Sequence, residues 1–285
     1  MRFAVFSRGE QEGLAAAGPH GGFRGLLSGD AGYPGSLDVL IWKGRSALDA
    51  AAAALGKGTA IDLDQVTLLP PLPAPGKIIC VGLNYIDHAL ESGFTVPDYP
   101  TIFTRFASSL IGSGAPIIRP MVSTELDYEG EMVAIIGIGG RRIAEENALD
   151  HVIGYSIFND ASIRDYQKKS SQWTIGKNFD NTGAFGPYLV TADELPAGAQ
   201  GLHIQTRLNG VAVQDASTDD MVFSVARLIS ILSEAITLLP GDIIVSGTPA
   251  GVGVARKPPL FMKHGDMCEV EIEGIGMLRN KIEDE

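Results

Sequence analysis

Three observations predict an α+β fold that is mostly β. Short β-branched runs recur between Gly and Pro punctuation, and 35 glycines and 16 prolines in 285 residues supply the turns that such strands need. Only one long stretch carries strong helical periodicity. Many short strands with few helices point to a β-rich sandwich or rolled barrel and away from a doubly wound βαβ sheet. No internal repeat is present.

In chain order, residues 1–69 read as a small N-terminal α/β domain. It holds a strand near residues 3–6, a second strand over 39–42 and an alanine-rich helix over 46–55. Residues 70–76, Pro-Pro-Leu-Pro-Ala-Pro-Gly, form a stiff extended connector, because each proline fixes its own φ and keeps its predecessor out of the helical region. Residues 70–285 are then the larger domain. Its strands are expected at 78–81, 102–103, 131–136, 202–208, 242–245 and 268–272, with a short helix over 162–169. The long amphipathic helix is expected to start at Ser217-Thr218-Asp219-Asp220, a capping-box pattern. It places Met221, Val225, Leu228, Ile229, Leu232 and Ile236 on one side before Pro240-Gly241 ends it.

Composition narrows the function. A net charge of -12 without clustered Lys or Arg argues against a nucleic-acid surface and for a small-molecule partner. No stretch approaches the roughly 18 to 20 apolar residues that span a bilayer, and the first apolar run is too short for a secretory signal. The two cysteines, Cys80 and Cys268, sit in separate apolar runs and read as free buried thiols. A cytoplasmic location without membrane contact follows as the expectation.

The chemistry starts in the run from Leu126 to Gly137, where Glu129 and Glu131 stand at the mouth of an apolar strand. Residues i and i+2 of a strand share a face, so the two carboxylates converge while Val133 and Ile135 continue that face into a core. Like charges so close need a cation, and a hard divalent ion with positions open to substrate suits them. His88 and Glu91, three apart, pair on one face of a helical turn and can act as an acid/base dyad. Asp160 ends another apolar run and offers either a third carboxylate or a helix N-cap. Lys177, between aromatic and Gly residues, is a candidate buried ammonium. The segment Ser246-Gly247-Thr248-Pro249-Ala250-Gly251-Val252-Gly253 reads as a loop presenting amides and a hydroxyl to an anion. It lacks the third glycine of a dinucleotide fingerprint.

Together these segments resemble the fumarylacetoacetate hydrolase family from Lys77 to the C-terminus. The resemblance rests on an ordered series. It opens with Gly82-Leu83-Asn84-Tyr85 with His88 and Glu91, Pro100-Thr101-Ile102-Phe103 with Ser108-Ser109, and Asp127-Tyr128-Glu129-Gly130-Glu131. It continues with Asn159-Asp160, Arg164-Asp165, Trp173 with Lys177-Asn178-Phe179-Asp180, Leu208-Asn209-Gly210, Leu239-Pro240-Gly241-Asp242 and Gly247-Thr248-Pro249. The resemblance implies a mixed β-sandwich roll, a homodimer, and a divalent metal, Mg or Mn, on Glu129, Glu131 and Asp160. It also implies catalytic roles for Lys177, His88 and Glu91.

The expected activity is hydrolysis of the carbon-carbon bond of a 2,4-dioxo acid, an acylpyruvate, to pyruvate and a carboxylic acid. His88, oriented by Glu91, would activate the water, and Lys177 would stabilise the enolate that leaves. Thr248 and Gly247 would hold the substrate carboxylate and Gln167 a substrate oxygen. Arg105 stands where many members have Lys. With Asp87 and Gln172 it suggests a hydroxylated tail, such as a 2,4-diketo-3-deoxy sugar acid. Decarboxylation of an oxaloacetate-type 2-oxo diacid and isomerisation of a 2-hydroxy-dienoate are the alternatives, and a metal-binding module without turnover is a third.

Overall fold

The computed structural model describes residues 1–18, 21–91, 93, 95 and 97–285. Strands β1 (Arg2–Arg8), β2 (Gln11–Ala17) and β3 (Phe23–Leu27) form an antiparallel meander that β4 (Thr59–Ile61) extends. Helices α1 (Leu37–Lys43) and α2 (Arg45–Leu55) lie between β3 and β4, and β5 (Thr67–Leu68) returns to β1. After the proline connector come β6 (Ile78–Gly82), α3 (Ile86–Glu91), β7 (Thr101–Thr104), β8 (Leu110–Ile111), β9 (Ile117–Arg119), β10 (Leu126–Asp127) and β11 (Gly130–Ile136). Next are β12 (Val152–Asp160), β13 (Ser162–Ile163), α4 (Arg164–Gln167), α5 (Thr174–Lys177) and β14 (Gly183–Thr191). The chain closes with β15 (His203–Leu208), β16 (Val211–Ser217), α6 (Val225–Ala235), β17 (Ile243–Val245), β18 (Met267–Ile272) and β19 (Gly276–Asp284).

Among the described residues, twelve strands make one mixed sheet in the order β4-β3-β2-β1-β14-β12-β11-β17-β6-β7, with β5 on β1 and β8 on β14. Because β1 pairs with β14, hydrogen bonding runs unbroken from the N-terminal meander into the strands beyond the proline connector. A second sheet, β16-β15-β18-β19-β9, packs across the first.

The central strand β11 is buried along its whole length, and period-two alternation explains how. Met132, Ala134 and Ile136 enter the core shared with Ile204 and Val270 of the second sheet and Leu228 of α6. Val133 and Ile135 face the other way, into the core made with Leu40 and Ile41 of α1 and Leu48 of α2. A strand covered on both faces reads as a continuous apolar run, which leaves its ends as the places where carboxylates can sit.

Three local expectations are corrected. Residues 39–42 belong to α1, not to a strand: Leu37, Leu40 and Ile41 are buried at helical spacing while Val39 and Trp42 face out. Gly44, at φ 86°, separates α1 from α2. The Ser217 capping box is real, but it caps a single 3-10 turn over Thr218–Asp220, and α6 starts later, with Ser224 Oγ accepting from Arg227 N. Asn84 is the reason: its backbone oxygen takes Val222 N–H and its Oδ1 takes Phe223 N–H, which holds that stretch extended. In the third case, residues 162–163 pair with β10 as β13, so the helix expected from Ser162 starts at Arg164.

Gly130, at the start of β11, abuts the second sheet: a Cβ there would overlap Thr206 Oγ1 and lie 2.9 Å from Val270 Cγ1. Gly130→Ala is therefore expected to destabilise the fold by about 1–3 kcal/mol through forced backbone and side-chain shifts. Urea unfolding reads this directly, and an unchanged midpoint would show that the two sheets yield freely at this point.

Candidate active site

Glu129, Glu131 and Asp160 come together where β11 begins and β12 ends. Antiparallel pairing sets Gly130 opposite Asn159 and Glu131 opposite Phe158, so Asp160 falls beside Glu129, whose backbone oxygen accepts from Asp160 N at 2.8 Å. Asn159 Oδ1 accepts from Glu129 N at 3.0 Å and fixes the same corner. One oxygen from each of the three carboxylates lies within 4.8 Å of the others, and all three residues are buried. Asp160 is thus a member of the acidic triad and not a helix cap.

Three cations answer this charge. Lys177 Nζ donates to Glu129 Oε2 at 2.5 Å and Asp160 Oδ2 at 2.6 Å. Burial lowers the Lys177 pKa, but Asp160 and Glu129 outweigh it and raise the pKa above the ordinary value, so Lys177 is held as an ammonium. Arg164, on α4, sends Nε to Asp127 Oδ2 and Nη2 to within 2.7 Å of Glu129 Oε1. That second approach is off the hydrogen-bonding direction, which leaves Nη2 without a hydrogen-bond partner among the described residues. Burial pushes the Glu129 pKa up, but Lys177 and Arg164 pull it below the usual carboxylate range.

Arg105 is the third cation, and its position corrects the expected substrate contact. Its guanidinium donates to Asp160 and the Ala161 carbonyl through Nη1, to Thr182 Oγ1 through Nη2 and to Ser109 Oγ through Nε. These bonds hold it behind Asp160, and it does not line the cavity. Asp87 and Gln172 do not line it either, so none of the residues that suggested a hydroxylated tail reaches the cavity.

Glu131 has no cationic partner among the described residues. Its recorded hydrogen bond is from Gly247 N, at 2.6 Å to Oε2. Burial first, then Asp160 and Glu129, push its pKa well above the ordinary value. Four carboxylates, counting Asp127, thus face three cations, and the deficit sits at Glu131. Hard oxygen donors, close convergence and missing positive charge together fit a divalent ion such as Mg or Mn on Glu129, Glu131 and Asp160.

Glu129 and Glu131 open into a cavity of about 430 Å³ that is also lined by His88, Glu91, Gln167, Lys177 and Thr248. His88 Nδ1 pairs with Glu91 Oε1 at 3.0 Å, and Gly251 N donates to both Glu91 oxygens at 3.0 Å. The imidazole therefore keeps Nε2 as its remaining nitrogen. Trp173 forms part of the wall and rests on Gly82, where a Cβ would lie 2.9 Å from its Cη2.

The 246–254 loop does present amides to anions, but the anions are the protein's own. Gly247 N holds Glu131, Gly251 N holds Glu91, and Gly253 N and Val254 N hold Asp127. The Gly247 amide is consequently spent on a triad member, and Gly247 does not line the cavity. Thr248 reaches the cavity, although its hydroxyl donates to the Gly130 carbonyl and accepts from Gln214 Nε2. Gln167 also reaches it, with Oε1 accepting from Arg164 Nη1 at 2.9 Å.

Sequence reasoning passed over Arg164, Asp127, Gln214 and Asn84. Arg164 and Asp127 appear there only as motif members, and the signal that could have found them is charge: a buried triad demands more cation than Lys177 supplies. Gln214, which bonds Gly130 N, Thr248 Oγ1 and the Pro249 carbonyl, gives no local sign of its role. Cys80 and Cys268 are buried free thiols, and no helix of the described residues is long and apolar enough to cross a membrane.

Residues 77–283 match the model of the fumarylacetoacetate (FAA) hydrolase C-terminal family. The chain is 43% identical over 256 residues to the mitochondrial oxaloacetate tautomerase fahd2 of Xenopus laevis, an alignment covering 89% of this chain and 80% of that protein. It superposes on a fumarylacetoacetate hydrolase from Exiguobacterium antarcticum with a TM-score of 0.86 at 36% identity, over the full length of both chains. A 5-carboxymethyl-2-hydroxymuconate delta-isomerase from Mycobacterium smegmatis gives a TM-score of 0.77 at 29% identity, covering 100% of this chain and 99% of that one.

Glu131→Gln tests the charge deficit. The variant removes the uncompensated buried charge while keeping an acceptor for Gly247 N, so the metal-free protein should melt about 2–4 °C higher, the shift that ~1 kcal/mol produces in a large domain. Its Mg affinity, measured by calorimetry, should fall beyond the ~10–100-fold that loss of an outer-shell partner causes. Wild-type Mg affinity in this variant would remove Glu131 from the metal site.

Proposed function

Since the chain belongs to the fumarylacetoacetate hydrolase family, we propose that it is an enzyme that interconverts the keto and enol forms of an oxaloacetate-type 2-oxo diacid. The observation that carries this reading is the meeting of His88–Glu91, Lys177, Glu129 and Glu131 in one cavity, with Asp160 bound to Lys177 beside them. Enolisation needs a base at the carbon next to the ketone and stabilisation of the oxygen where negative charge develops. Both are present. The similarity to an oxaloacetate tautomerase favours proton transfer over the acylpyruvate hydrolysis expected from the sequence.

The roles follow from the bonds already made. With Nδ1 tied to Glu91, His88 exchanges the substrate's C3 proton through Nε2, and Glu91 stabilises the imidazolium that forms. Gly251 N–H anchors Glu91, so the dyad keeps its orientation through the cycle. Lys177 spends two protons on Glu129 and Asp160 and offers its third to the developing enolate oxygen. Arg164, with Nε on Asp127 and Nη2 against Glu129, lines the cavity and lends its positive charge to the side where the adjacent substrate carboxylate would lie. A divalent ion on Glu129, Glu131 and Asp160, Mg or Mn, would supply electrophilic polarisation of the 2-oxo group.

Hydrolysis and decarboxylation use the same groups and add a bond cleavage, so the products separate the three. Oxaloacetate prepared in its enol form should lose enol absorbance faster than the uncatalysed background, with Mg and without pyruvate release. Pyruvate appearing with loss of oxaloacetate would instead identify a decarboxylase, and pyruvate from acylpyruvates a hydrolase. His88→Ala should keep Mg affinity and lower the catalysed rate by about 100- to 10,000-fold, the range of a positioned acid/base group. An unaltered rate would exclude His88 from the reaction.

A further inference from the structure

The charge inventory of the cavity distinguishes one residue that the reaction itself does not use. Lys177 is paired with Glu129 and Asp160, Arg164 with Asp127 and Glu129, and His88 with Glu91. Lys168 also lines the cavity, beside Ser170 and Ser171, and among the described residues it is the lining cation with no ion-pair partner. We propose that Lys168 is a specificity residue that receives the distal carboxylate of a dicarboxylate substrate. The inference deepens the 2-oxo diacid reading and rests on it.

The local structure sets Lys168 apart from its neighbour. Lys169 lies with Nζ 3.1 Å from the centroid of the Tyr166 ring, a cation–π contact that occupies it. The backbone under Lys168 is held on both sides. Its N–H donates to the Arg164 carbonyl at 3.2 Å, which ties its position to the arginine inside the cavity. Glycine at 176 lets α5 press on the preceding residue, since a Cβ there would overlap Gln167 N and lie 2.5 Å from Gln167 Cα. Ser170 Oγ donates to the Gln172 carbonyl and accepts from Gln172 N, which fixes the turn that carries Ser171.

The substrate explains why such a cation is needed. A monoanionic 2-oxo acid presents its charge at one end, and the inner groups suffice for it. A diacid carries a second charge at the far end, on a protein whose net charge of -12 repels dianions. A lysine at the exposed rim supplies a compact positive charge without disturbing the neutralised interior.

The test compares malate with 2-hydroxybutyrate, which share a carbon skeleton and differ in a distal carboxylate against a methyl group. Binding of each to Mg-loaded wild type, Lys168→Ala and Lys168→Arg is measured by calorimetry. Lys168→Ala should weaken malate about 5-fold, the order that a partly exposed ion pair supports. It should leave 2-hydroxybutyrate unchanged, and Lys168→Arg should restore malate affinity. In turnover of oxaloacetate the same loss should fall on KM, with kcat unchanged. No loss of malate affinity, or equal loss for both ligands, would overturn the proposal. Should wild type fail to turn over oxaloacetate, the 2-oxo diacid reading fails, while a malate-specific loss in Lys168→Ala would still support the carboxylate subsite.

Discussion

Burying Glu129, Glu131 and Asp160 within a few ångströms of one another is the constraint on which the rest of the site depends. Isolated carboxylates in such surroundings would take up protons or unfold the corner that holds them. Lys177 bridges two of them from within the cavity, Arg105 braces Asp160 from behind, and Arg164 links Glu129 to Asp127. Glu131 is left with a backbone amide, so the electrostatic balance is one cation short at the place where a metal would add it.

Rigidity around this cluster comes from covering both faces of the central sheet. The strand that starts at Gly130 is packed by the second sheet and α6 on one side and by α1 and α2 on the other, so its first residues have no freedom to relax away from the charges. The glycine-rich loop over 246–254 completes the scaffold by tying three carboxylates of different segments to one stretch of backbone amides. That loop couples the His88–Glu91 pair to the triad: Glu91 is held by Gly251 and Glu131 by Gly247, four residues apart. A preorganised site of this kind suits chemistry in which charge develops and returns without a large conformational step.

Much of this was legible in the residues. The β-rich architecture followed from strand-length apolar runs, Glu129 and Glu131 were marked by two carboxylates at the mouth of an apolar strand and His88–Glu91 by helical spacing, while the inclusion of Asp160 and the role of Lys177 came from the family resemblance. Where reading failed, a distant partner had overridden a local pattern. Residues 39–42 look like a strand by composition, but the spacing of Leu37, Leu40 and Ile41 lets them pack as a helix on the sheet. The box at Ser217 has correct capping chemistry, yet Asn84, more than a hundred residues away, holds the next stretch extended and delays the helix to Val225.

What the sequence by itself determined is the set of chemical groups and the elements that carry them: carboxylates at strand ends, a histidine three residues from a glutamate, and glycines where a backbone must come close. These are local properties, set by side-chain chemistry and by the two-residue and 3.6-residue periods. Only the tertiary structure decided which groups are spent on one another. Arg105 and the Gly247 amide read as substrate contacts in isolation, and both are consumed by the triad. Lys168 carries no sign of its place in the sequence, and in the fold it stands exposed at the cavity without an ion-pair partner among the described residues. Charge pairing depends on distances between segments far apart in the chain, and folding is what sets those distances.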